Sequence, residues 1–215
     1  MTVSVPQLDD PELIKLIKLI DPLLKPILVY VKPEKYAQEN ECIQAVQEKI
    51  SIDGGSQVFG WQVWKSDFWI EAEFHSLWKS PEGSFLDITP KNIPISPDAS
   101  VSVSSIIFLL DPKIEYTGAQ IDNIRLNITN NEIIDDIIKM FEIEFQLLNT
   151  GARALEYEVR LSDEEFNLFK KIKQNRLYLY LMAKNNMNIE SDCFCGSNKK
   201  YKDCCRERIM EISKS

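Results

Sequence analysis

QVFGWQVWKSDFWIEAEFHSLWKSPEGSFLDI, residues 57–88, is the stretch whose reading decides the fold. Gln57 to Lys65 and Phe68 to Trp78 are rich in the aromatic and β-branched residues that suit a pleated, half-buried surface, and Ser84 to Ile88 is a third such run. Ser66-Asp67 separates the first pair of runs and Pro81-Glu82-Gly83 the second. Connections this short can join only antiparallel neighbours, because a parallel crossover needs a dozen residues or more. An antiparallel meander is therefore expected, with Val101 to Leu110 (VSVSSIIFLL) as a fourth strand and Asn123 to Thr129 as a candidate fifth.

Helices flank this block on both sides. Upstream, Asp10-Pro11-Glu12 supplies a capping acid and a first-turn proline before Leu13, Ile14, Leu16, Ile17, Leu19 and Ile20, and the helix should end near Pro22. A second helix enters at about Glu39, holds Cys42 in its first turns, sets Ile43, Val46 and Ile50 on one face, and breaks at Asp53-Gly54-Gly55. Downstream, Asn131 to Leu148 and Ser162 to Asn185 show apolar spacing near 3.6, the latter opening on a capping-box pattern, Ser162 to Glu165. Asn185 to Asp192 reads as a linker. The expected class is α+β, partitioned into an N-terminal helical segment (1–36), a sheet-bearing core (37–130), a helical region (131–185) and a C-terminal knuckle (190–207).

Composition bounds the function. The 215 residues are 44% hydrophobic and 27% charged, ordinary for a globular protein and unlike a disordered or fibrous one. The longest apolar stretch, Leu13 to Val31, is interrupted by Lys15, Lys18, Asp21 and Lys25, whereas a bilayer span needs about 20 nearly uncharged residues. No membrane span is expected. The N-terminus carries acids where a secretory signal would carry lysine or arginine, so a cytoplasmic location is expected. A net charge of -8 argues against broad phosphate neutralisation and so against a general nucleic-acid binder. One local exception is the run from Lys199 to Arg208, where Lys199, Lys200, Lys202, Arg206 and Arg208 outnumber Asp203 and Glu207.

That basic run overlaps the cysteines. Cys193 and Cys195 stand one residue apart, and Cys204 and Cys205 follow after eight more. In a reducing compartment such a cluster is a metal site rather than two disulfides, and four thiolates satisfy a tetrahedral structural zinc with no position left open for water. A segment so short and polar cannot fold around its own core, and one bound Zn2+ would supply the missing stability. Gly196 and Ser197 suit a tight turn beside the sulfurs. Cys193-Phe-Cys195-Gly-Ser-Asn-Lys-Lys-Tyr-Lys-Asp-Cys204-Cys205 closely resembles the SEC-C motif, known from the C-terminus of the bacterial preprotein-translocase ATPase. The resemblance implies a small basic zinc knuckle that docks a protein partner or touches the ribosome.

Cys42 and the lone histidine, His75, remain. A cysteine near a helix N-terminus has its thiolate favoured by the free amides and the helix dipole. A strand histidine can shuttle its proton, and a carboxylate across the next hairpin, Asp87, can orient the imidazole. Glu71 and Glu73 share the His75 face, but residues two apart on a strand lie about 7 Å apart against about 5 Å for a cross-strand partner, which favours Asp87. His75-Ser-Leu-Trp78 and Gly83-Ser-Phe-Leu-Asp87-Ile-Thr89-Pro90, preceded by Cys42, resemble the transglutaminase-like branch of the papain-like cysteine hydrolases. The resemblance implies a papain-like core and a Cys42–His75–Asp87 triad, with an oxyanion hole from the Cys42 amide and one of Gln38, Asn40 or the Trp61 indole.

Two functions follow as expectations. One is a cysteine hydrolase or acyl-transferase (peptidase, deamidase or amidase) whose knuckle brings in a protein or peptide. The other is a non-enzymatic zinc-binding adaptor. A contact of the basic patch with ribosomal RNA is a weaker third, since three excess charges give only modest, salt-sensitive binding.

Overall fold

The computed structural model describes residues 3–96, 99–156 and 158–212. It is an α+β chain that divides into two compact units, one of residues 1–117 with 123–126, the other of 118–122 with 127–215.

The first unit is built on a seven-stranded sheet. Its path runs β2 (Pro26–Tyr30), β8 (Ser105–Leu110), β3 (Ser56–Ser66), β4 (Trp69–Lys79), β5 (Phe85–Leu86), with β1 (Val3–Ser4) on β3 and β9 (Ile124–Asn127) on β4. β3 and β4 form the expected long hairpin, in register from Ser56 opposite Lys79 to Lys65 opposite Ile70. Ser66 makes the turn: its hydroxyl accepts from the amides of Phe68 (3.2 Å) and Trp69 (3.0 Å) and donates to the Trp69 carbonyl (2.9 Å). The next turn closes through Ser80 N to Ser84 O and Gly83 N to Ser80 O, both 2.9 Å, with Gly83 at φ 92, where a side chain would strain the backbone.

Helix α1 (Pro11–Ile20) starts as expected, the Asp10 carboxylate accepting from Glu12 N at 2.9 Å, and buries Leu13, Leu16 and Ile17. Helix α2 (Cys42–Asp53) begins three residues later than its apolar spacing suggested. Asn40 holds φ 65, a left-handed conformation that no right-handed helix can include, so Cys42 becomes the first helical residue. α2 packs on β4 and β3, where Ala45, Val46 and Ile88 form one core cluster, while Val29, Leu77, Ile106 and Phe108 form another.

Two strands depart from the sequence reading. β2 lies in the proline-marked region after α1; Pro26 starts it, and because β2 pairs only with β8 in the sheet path, the missing N–H costs no ladder bond to a second neighbour. The run from Val101 to Leu110 is broken at Val103-Ser104, so that β7 (Ala99–Ser102) pairs with β6 (Asn92–Ser96) as a separate ribbon while β8 stays in the main sheet. Gly60 marks a close approach: a Cβ there would sit 2.1 Å from the Leu109 carbonyl oxygen and 2.7 Å from the Phe108 ring.

The second unit contains α3 (Glu132–Leu148), α4 (Asp163–Lys184) and α5 (Cys205–Ile212), with 3-10 turns at Gly151–Leu155 and Tyr201–Asp203. α4 opens on the expected capping box, Ser162 with Glu165. α3 and α4 are tied by Glu144 to Lys173 (3.1 Å) and by Arg176, which also lies 4.0 Å from the Phe141 ring centre. No helix among the described residues is long and apolar enough to cross a membrane.

Candidate functional site

Cys42 occupies the first helical position of α2, and no side chain caps that helix at Glu41. The unsatisfied first-turn amides and the positive end of the helix dipole therefore stand next to the thiol, which is half-buried. Burial by itself would raise the thiol, but the His75 charge, a hydrogen bond with the His75 ring, the Ser76 backbone and Lys91 outweigh it and hold Cys42 below its ordinary value.

His75 is 2% exposed on β4, its ring edge-on to Phe108 at 6.5 Å between centroids. Its Nε2 lies 3.0 Å from Asp87 Oδ2. Burial and the nearby Lys91 charge pull the imidazolium down, yet Asp87 and the Cys42 thiolate push harder the other way, and His75 is raised to about 9. Each group thus favours the charged form of the other.

Asp87 is fully buried and held at every polar atom. Its amide donates to Tyr30 O (3.0 Å) and its carbonyl accepts from Lys32 N (2.8 Å), fixing the residue to the end of β2. Its Oδ1 accepts from Thr89 N (3.0 Å) and Thr89 Oγ1 (2.6 Å), leaving Oδ2 for His75. Burial opposes ionisation, but His75, Lys91 and Thr89 together drive the carboxyl well below the usual range. Thr89 and β2 are parts of the site that spacing alone did not reveal. Lys91 is a third: its Nζ stands 3.3 Å from His75 Nε2 and 3.5 Å from Asp87 Oδ2, with its side chain 9% exposed. A lysine directly after a proline in a loop carries no sequence signal for such a position.

The rival acids go elsewhere. Glu71 binds Arg125 at 3.1 Å, and Glu73 accepts from Gln62 Nε2 (2.6 Å) and Trp64 Nε1 (2.8 Å). The Trp61 indole donates to Asp111 at 3.2 Å.

In the second unit, the sulfurs of Cys193, Cys195, Cys204 and Cys205 all lie within 4.8 Å of one another, with Cys195 at 3.4 Å from Cys193 and 3.5 Å from Cys204. Four ligands at about 2.3 Å around a tetrahedral centre stand about 3.8 Å apart, so the cluster fits a metal such as zinc. Gly196 at φ 74 turns the chain, and Ser197 Oγ lies 3.1 Å from Cys204 Sγ. Arg208 places a guanidinium nitrogen 3.0 Å from Cys205 Sγ, where it would offset the excess negative charge of four thiolates around a bound dication. The knuckle is anchored on α3 through Asp136, which is 1% exposed: it accepts from Tyr201 Oη at 3.0 Å and pairs with Arg206 at 3.0 Å. Lys200 pairs with Asp192 and Lys202 with Glu190, both at 2.8 Å, so much of the basic patch is neutralised within the chain.

The SEC-C motif family model matches residues 191–207. This defines the C-terminus as a SEC-C zinc-binding motif, covering the four cysteines and the Tyr201–Arg206 anchor. No curated protein and no solved structure matches the chain.

Proposed function

We propose that the first unit is a papain-like, cysteine-dependent hydrolase or acyl-transferase and that the SEC-C segment holds one structural Zn2+ and docks a protein partner. The observation that carries the enzymatic reading is one buried imidazole, His75, with a carboxylate 3.0 Å from its Nε2 and an electrostatic pull on the helix-N-terminal thiol of Cys42. In this reading the Cys42 thiolate attacks an amide carbonyl, helix-end amides stabilise the developing oxyanion, and His75 gives its proton to the departing amine. Water or a second amine then attacks the thioester, losing its proton to His75 and regenerating the thiolate. Asp87 keeps the ring oriented throughout and favours its charged form whenever it holds the proton. Zinc bound by Cys193, Cys195, Cys204 and Cys205 would supply stability only, since the four thiolates leave it no open position.

Partner docking is supported by the surface next to the knuckle. Leu177 and Leu181 of α4 are exposed, and Tyr178 beside them stacks on Phe194 of the knuckle at 5.0 Å between ring centroids. Apolar side chains grouped beside a polar rim suit a protein rather than a nucleic acid.

Iodoacetamide tests the chemistry. In zinc-loaded protein at pH 6, Cys42 should alkylate at least tenfold faster than free cysteine, and Cys42→Ala should abolish the fast phase. Alkylation equal to or slower than free cysteine overturns the enzymatic reading and leaves the adaptor.

A further inference from the structure

The triad accounts for Cys42, His75 and Asp87 and leaves Lys91 without a task. Lys91 follows Pro90 ahead of β6, with its side chain 9% exposed and its Nζ 3.5 Å from Asp87 Oδ2 and 3.3 Å from His75 Nε2. The same Oδ2 lies 3.0 Å from His75, because Oδ1 is filled by Thr89 N and Thr89 Oγ1. Two groups that can carry positive charge therefore share one buried carboxylate oxygen. Burying a lysine there costs desolvation and side-chain entropy, and the hydrogen bonds of Asp87 were complete without it.

Counting charges shows what the second cation does. The ionisable groups acting on His75 are Cys42 from the start of α2, Asp87 from the segment after β5, and Lys91. From β8 the ring meets Phe108, and the carboxylates on its own β4 face are taken up elsewhere, Glu71 by Arg125 and Glu73 by Gln62 and Trp64. When Cys42 and His75 form a charged pair, they cancel, and Lys91 cancels Asp87. In a Cys42 thioester the sulfur is neutral, and His75 must also be neutral to take a proton from water. Without Lys91, Asp87 would then be a buried carboxylate with no cation, a cost that holds the proton on the ring. With Lys91 the buried charges sum to zero at both stages.

We propose that Lys91 is a positioning residue that keeps Asp87 paired while His75 is neutral, and so lets His75 act as the base that breaks down a Cys42 thioester. This rests on the cysteine-hydrolase reading and adds to it the control of its second half. In that step a water oxygen adds to the thioester carbonyl carbon as its proton passes to His75. The C–S bond breaks, the free acid leaves and ionises in solvent, and the sulfur departs as thiolate. The directions of the charge effects agree: once the thiolate is consumed, Asp87 alone favours the charged ring, while burial and Lys91 oppose it.

The test acetylates the full zinc-loaded chain with 4-nitrophenyl acetate, reads the nitrophenolate burst, removes excess ester, and follows loss of the acetyl group from the Cys42 peptide by mass spectrometry between pH 5 and 9. In the wild type, deacetylation should reach half its plateau below about pH 7.5, the midpoint reporting the base. Lys91→Met should keep the burst amplitude but raise that midpoint by at least about one unit, which is deacetylation about tenfold slower at pH 6. Lys91→Arg keeps the charge and should keep the wild-type midpoint. An unchanged midpoint in Lys91→Met, or an equal shift in Lys91→Arg, overturns the proposal and leaves the hydrolase reading standing. A wild type with no burst that Cys42→Ala removes overturns both. If Lys91→Met does not fold, the wild-type midpoint decides alone, and a value above about pH 7.5 overturns the proposal.

Discussion

Asp87→Asn preserves the shape of the Asp87 side chain and its Thr89 contacts but removes the charge 3.0 Å from His75 Nε2. His75 is held at about 9, some 2.5 units above its ordinary value of about 6.5, a difference worth about 3 kcal/mol at 1.36 per unit. Without Asp87, burial and the Lys91 charge both favour the neutral ring, and only the thiolate opposes them. The ring then loses the main support for its charged form, and the Cys42 thiol rises, so less of it is ionised at pH 6. Its greater basicity recovers part of the loss through nucleophilicity, with a slope of about 0.4–0.5. The net expectation is alkylation of Cys42 on the order of tenfold slower than wild type at pH 6, with the two rates converging at alkaline pH. The assay is iodoacetamide labelling from pH 4.5 to 9, read at the Cys42 peptide by mass spectrometry. Superimposable pH profiles for wild type and Asp87→Asn would refute the coupling.

The same pair sets a stability window. His75 is raised, so its contribution is full below about pH 6.5 and is lost as pH rises through about 9. Asp87 is depressed, so its contribution is present above about pH 3.9 and is lost as the solution is acidified through its folded value. The wild-type advantage over Asp87→Asn, on the order of 3 kcal/mol, should therefore be largest between about pH 4 and 6.5 and shrink towards pH 9, as denaturant titrations at each pH would report.

Two further outcomes are expected. Gly60→Ala puts a Cβ 2.1 Å from a backbone oxygen that cannot rotate away; β3 and β8 must separate, at a cost of about 3 kcal/mol or a thermal midpoint about 10 °C lower, and a shift under about 2 °C would show that the strands yield easily. Purified protein should carry one zinc per chain by atomic absorption, and Cys204→Ser should lower zinc affinity more than about a hundredfold while leaving Cys42 labelling unchanged; full zinc retention would place the metal elsewhere.

Much of the site was legible because it is local. The Cys193-to-Cys205 spacing brings four sulfurs together within thirteen residues, and Tyr201 and Arg206 are the additions that needed the fold, since their partner Asp136 lies 65 and 70 positions away. The hairpin ending at Gly83 carried the expectation that Asp87 comes beside His75, because a short turn leaves little freedom of register. What escaped were partners supplied by distant backbone: β2, whose Tyr30 and Lys32 fix Asp87, and the loop that swings Lys91 onto His75.

By itself, then, the sequence determined the alternation that makes the β3–β4 hairpin, the caps of α1 and α4, and the grouping of four cysteines that could hold a metal, all of which depend on residues close to one another in the chain. Only the tertiary structure decided that Cys42 heads its helix, through the left-handed Asn40, and that Glu71 and Glu73 serve other partners. It alone decided that a buried lysine shares the Asp87 carboxylate with His75. Those outcomes turn on which charges are desolvated together, and burial is a property of the packed chain rather than of any stretch of it.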